Sequence, residues 1–217
     1  MATTMTDPYE PALTTFVLTP SESAAIAAAM LTAKPWKEDN ADIKSVKNKI
    51  RDLHLARQNS LCCYCRTNLH GGGHFMIDRE HVLPKKAFKQ YTFEIWNLSI
   101  SCKRCNMEMK GERKEFVIDM GPTAAVQTSA NYRIVHPNFD AWKDHLHRYQ
   151  VQQTDKVVVK ISLVEGSAKG QYTYDFFKLK DLDIGAFDVG QGGELLPSEN
   201  LGPGALEARL IARDLGQ

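Results

Sequence analysis

The chain has 217 residues, with 27 basic and 26 acidic side chains and a net charge of +1. Its 43% hydrophobic and 24% charged composition is that of a globular protein and excludes a disordered tail, a collagen-like fibre and a small disulfide scaffold. The near-zero charge would argue against a nucleic-acid partner if it were evenly spread, but residues 41–120 are basic and 181–217 are acidic.

The first 18 residues carry turn signals, Asp7-Pro8 and Glu10-Pro11, and neither a basic nor an apolar leader segment. The longest apolar run, Ala24 to Leu31, is far short of the ~20 residues a membrane helix needs. A cytoplasmic protein without membrane contact is expected. Thr19-Pro20-Ser21-Glu22 predicts a helix start, with Thr19 as cap and Glu22 three positions on. That helix runs to Ala33 and is stopped by Lys34-Pro35-Trp36.

A second helix is predicted over 41–57, where Ile43, Val46, Ile50 and Leu53 share one face. Lys44, Lys47 and Arg51 on its other side read first as a solvated face and second as a phosphate-contacting surface. Residues 121–153 look irregular and hold His136, His145 and His147 among aromatics. Val157–Val164 and Gln171–Leu179 read as the two strands of a hairpin around a Gly166–Gly170 turn. A Gly/Pro-rich stretch, 190–204, precedes a short helix near 206–214. The expected organisation is a helical extension over 1–59, a core over 60–120 and an α/β accessory region over 121–217.

All five cysteines lie between 62 and 105, in two clusters. Cys62-x-x-Cys65 and Cys102-x-x-Cys105 together match a four-thiolate zinc site. Four thiolates leave no open coordination position, so such a zinc is structural. Cys63 is left over as a free thiol. The two pairs would clamp the ends of the intervening segment, 66–101.

That segment contains Ile77-Asp78-Arg79-Glu80-His81-Val82-Leu83-Pro84 and then Asn97-Leu98. The second cysteine pair runs on into Asn106 and Lys110. The ordered set C-x-x-C, Glu-His-x-x-Pro, Asn-Leu, C-x-x-C-Asn-x-x-x-Lys resembles the zinc-clamped subgroup of the HNH endonucleases, over about residues 61–115. The resemblance implies an α+β fold with a ββα-metal core and metal-dependent hydrolysis of DNA phosphodiester bonds.

It further implies His81 as general base, Asn97 orienting that histidine, and Glu80 and Asn106 as ligands of a catalytic Mg²⁺ or Mn²⁺. Lys110 is expected at the scissile phosphate, and Asp78 is a weaker ligand candidate. Glu in place of the commoner Asp lengthens one ligand, and Asn in place of His at the third position favours a hard ion.

His54, His70 and His74 have no such context, and Gly71–Gly73 is a loop tip. The histidines of 136–147 read as a packed aromatic corner before a second metal site. The His-Pro…Asp…His stretch with its hairpin resembles HNH proteins of Septu-type and retron-associated anti-phage systems, which implies an ATPase partner. The competing function is a zinc-stabilised nucleic-acid or protein-binding module without catalysis.

Overall fold

The computed structural model describes residues 7–121, 124–154 and 156–184. The helix expected near 206–214, the Gly/Pro-rich stretch before it and most of the acidic segment lie outside them. Two helices come first, α1 (Pro20–Leu31) and α2 (Ala41–Arg57). Thr19 and Glu22 form the expected capping box at α1, and Asn40 caps α2 by accepting from the Ile43 amide. Glu22 is also buried against α2. Its carboxylate takes hydrogen bonds from Ser45 Oγ at 2.7 Å and Lys49 Nζ at 2.6 Å, so the residue that starts one helix fastens it to the next.

A single helical turn, α3 (Gly73–Met76), leads into β1 (Ile77–His81). An antiparallel partner, β2 (Leu98–Cys102), pairs His81 with Leu98 and Ile77 with Cys102. A π-helix, Arg104–Lys110, follows, and the Gly111 amide closes it on the Asn106 carbonyl at 2.7 Å. Gly111 takes φ +50°, a conformation that disfavours a side chain. A second antiparallel pair, β3 (Leu146–Gln153) and β4 (Lys156–Leu163), runs in register from Leu146↔Leu163 to Gln153↔Lys156. The last described helix is α4 (Ala168–Phe176). Among the described residues the architecture is α+β, and none of their helices is long and apolar enough to cross a membrane.

The hairpin is therefore shifted one element towards the N-terminus, and Gln171–Leu179 is mostly helix rather than strand. Aromatic side chains favour strands only weakly, and here other constraints prevail. Ser167 caps α4 by accepting from the Gly170 amide at 2.9 Å. Gly170, Thr173 and Phe176 then recur at helical spacing on the buried face. Gly170 lies so close to β3 that a Cβ there would sit 2.4 Å from the His145 carbonyl oxygen.

Two apolar cores result. The smaller one joins α1 and α2 to Phe93 and Leu98. The larger one unites Tyr64, Leu83, Trp96 and Ile100 with Phe139, Ile161 and Phe177, so residues beyond 121 complete the core of the cysteine-rich segment. Phe177 stacks on Tyr64 at 4.1 Å. His136, fully buried, stacks on Phe139 at 3.9 Å, as the packed-corner reading expects, whereas His145 and His147 are only partly buried.

Gln58 joins the two halves. Its amide nitrogen donates to the Leu61 and Ile100 carbonyls at 2.7 Å, and its oxygen accepts from Ser99 Oγ and the Ile100 amide. Replacing it strands several buried partners, each unsatisfied group costing about 1–3 kcal/mol. Gln58→Leu is expected to lower the unfolding free energy by about 2–4 kcal/mol in urea melts.

Candidate metal centre and basic groove

The tight turn after α2 places Cys62 and Cys65 beside the end of β2 and the start of the π-helix. One sulfur from each of Cys62, Cys65, Cys102 and Cys105 lies within 4.8 Å of all the others. Cys65 and Cys102 Sγ are 3.8 Å apart, and four sulfurs placed tetrahedrally at ~2.3 Å from one ion are ~3.8 Å apart. The Cys62 sulfur accepts from the Cys102 amide at 3.3 Å, a backbone N–H that supports a thiolate. Burial pushes the Cys62 thiol above its ordinary range, an effect a divalent cation reverses. These four cysteines could bind a metal such as zinc. Cys63 is buried and is not one of the four clustered sulfurs; its amide is bonded to the Ile100 carbonyl.

On the pleat of β1, Asp78 and Glu80 face the π-helix and form two polar rungs with it. Asn106 Nδ2 donates to Asp78 Oδ2 at 3.2 Å, and Lys110 Nζ meets Glu80 Oε1 at 2.9 Å. Lys110 is 2% exposed and also donates to the carbonyls of His81 and Gly111. The sequence places this lysine at the scissile phosphate, whereas here its ammonium is committed to Glu80 and two backbone carbonyls, because burial demands that its charge be matched. Glu80 is fully buried and accepts from the Tyr64 hydroxyl at 3.0 Å. Burial pushes its carboxyl above the ordinary value, while Lys110 and Tyr64 pull the other way. Its second oxygen, Oε2, is buried without a partner.

His81 stands on the other side of the strand. Nε2 lies 3.0 Å from the Thr92 carbonyl oxygen, which only accepts, so Nε2 carries the proton and Nδ1 keeps the lone pair. Asn97 does not touch the imidazole. It pins the connection after β1, accepting from the Leu83 amide at 2.7 Å and donating to the carbonyls of Leu83 and Tyr91. Burial holds the His81 pKa down to about 3, with Lys85 and Lys110 adding to the effect.

A groove of about 450 Å³ opens beside His81. Its lining includes Asn106, Arg79, Lys85, Lys86, Lys89 and Lys110, together with Lys34, Trp36 and Lys37 from the turn between α1 and α2. Glu112 is the one acidic lining residue, and it pairs with Lys86 at 2.8 Å. Of the helical stripe, Lys44 pairs with Asp39, Arg51 pairs with Asp52, and Lys47 covers Trp36. The stripe is a paired face outside the groove lining. Sequence reasoning missed Thr92, Tyr64 and Trp36. The first two have no signal of their own, and Trp36 read only as part of a helix stop.

Cys102→Ser is expected to abolish stoichiometric zinc binding, measured by metal analysis of the purified protein, and to unfold the segment it anchors. Cys63→Ser should keep the metal. A second expectation concerns pH. Burial also holds His54 down to about 3 and keeps His136 well below its ordinary value. The unfolded chain therefore binds protons that the folded chain refuses, and stability falls as pH drops from about 6.5 towards 3. The slope is up to about 1.4 kcal/mol per pH unit for each histidine. In urea melts between pH 7.5 and 5, His54→Leu should lose less stability than the wild type.

No protein-family model matches the chain and no curated protein matches it, so the residues themselves carry the chemical reading.

Proposed function

We propose that the protein is a metal-dependent HNH-type endonuclease that hydrolyses DNA phosphodiester bonds at the basic groove, with His81 as general base. The observation that carries this reading is a histidine locked in one tautomer beside a groove whose charges are almost all positive. A groove of that charge attracts a polyanion. A purely binding module has no need of an oriented, lone-pair nitrogen.

Four features define the chemistry these residues offer. The Thr92 carbonyl holds the imidazole so that Nδ1 is the basic atom. Lys85 and Lys110 depress its pKa in the free protein. A phosphodiester entering the groove offsets those positive fields and raises the basicity of Nδ1 as it binds. Among the unpaired groove cations, Lys85, Lys89, Lys34 and Lys37 suit phosphate oxygens.

Glu80 and Asn106 offer a catalytic divalent ion hard oxygen donors, and the partnerless Oε2 of Glu80 is an atom such an ion would satisfy. When bound, the ion would supply charge stabilisation to the phosphorane and the departing 3′-oxygen. Lys110 already neutralises part of the Glu80 charge and holds the His81 backbone in place.

Supercoiled-plasmid nicking with Mg²⁺ or Mn²⁺ tests the reading. His81→Ala is expected to lower the rate about 100-fold or more. Chelation that spares the cysteine-bound metal should abolish cleavage. Equal cleavage by wild type and His81→Ala would overturn the assignment.

A further inference from the structure

Part of the groove lining does not come from the cysteine-clamped segment that carries Lys85 and Lys89. It comes from the turn between α1 and α2, whose Pro35 is buried and whose Trp36 reaches across to β1. The rings of Trp36 and His81 meet at right angles with centroids 4.5 Å apart. Trp36 is itself braced. Phe93 packs against it at 5.3 Å, and Lys47 lies over the ring with Nζ 5.4 Å from the centroid. Lys47 Nζ also donates to the Glu38 carbonyl, tying the turn to α2.

The imidazole is therefore held by a hydrogen bond at Nε2 and by an aromatic contact from outside the strand–loop unit that carries it. The hydrogen bond sets which nitrogen is basic but leaves the ring free to tilt about it. The perpendicular indole restricts that tilt and keeps water from one side of the ring.

Resting on the nuclease reading above, we infer that Trp36 is a positioning residue for His81, so that the N-terminal extension is part of the active site and not an appendage to it. The charged groups facing His81 are Lys85 in the loop after β1, Lys110 in the π-helix and, behind Trp36, Lys47 in α2. None is an acid that would itself hold the ring. Trp36 is the contact that supplies a fixed shape.

The experiment compares full-length wild type, His81→Ala, Trp36→Leu and Trp36→Phe. Leucine keeps an apolar anchor against Phe93, so the turn stays folded, and phenylalanine restores a planar partner. Nicking of supercoiled plasmid gives kcat and KM separately.

Trp36→Leu is expected to lower kcat at least fivefold with KM within twofold of wild type. Trp36→Phe should recover most of the lost kcat. Wild-type kcat in Trp36→Leu overturns the inference, even where His81→Ala is inactive. Unimpaired nicking by His81→Ala overturns the nuclease assignment instead, and the inference with it.

Discussion

The cluster of four cysteines is the constraint on which the rest of the site depends. It ties the turn after α2 to the end of β2 and the first residues of the π-helix, points far apart in the chain. The strands between them are five residues each. A two-stranded pair of that length is marginal without support, and a divalent ion held by the cluster would add an anchor to the apolar core packed on it. Gln58 adds a clasp at the same place, satisfying β2 backbone groups that face no third strand. With the strand ends held, β1 can turn His81 towards the groove on one side and bury Glu80 on the other.

The two faces of β1 carry opposite electrostatic tasks. Towards the π-helix, a fully buried carboxylate is matched by a fully buried ammonium, and the Tyr64 hydroxyl completes the match. Such a pair contributes little net stability, because desolvation offsets attraction, but losing one partner leaves a buried charge at a cost of about 3–5 kcal/mol. It therefore acts as a register pin between strand and helix. Towards the groove, positive charge is left largely unmatched, a poor arrangement for stability and a good one for receiving a polyanion. The surplus charge is drawn from two separate parts of the chain, which meet where Trp36 contacts His81.

Much of this was legible in the residues. The capping box at Thr19 and the apolar spacing of 43, 46 and 50 locate the first two helices because both are local signals. The cysteine spacing locates the cluster for the same reason. The limits are equally physical. Gln171–Leu179 looks like a strand because Tyr and Phe favour strands, whereas its helix depends on a Ser167 cap and a glycine-sized gap against His145, and that gap is a tertiary fact. Lys110 looks like a phosphate ligand because lysines are usually exposed, and its burial depends on Glu80, thirty residues earlier. Asn97 is legible as a polar residue of the motif, but its partners are backbone groups of a loop that no spacing rule describes. Trp36 carries no signal for a role at His81, since the contact crosses between two parts of the chain.

The four-residue spacing of Asn106 and Lys110 makes chain length itself a determinant of the electrostatics. Four residues make close to one turn in an α-helix and in the wider π-helix alike, so both side chains meet β1 on the side of Asp78 and Glu80. Removing one residue between 107 and 109 would leave every charged side chain in the sequence yet swing the ammonium off the carboxylate. The geometry of this region is sensitive to insertions and deletions at positions where substitutions of the exposed Met107 leave it untouched.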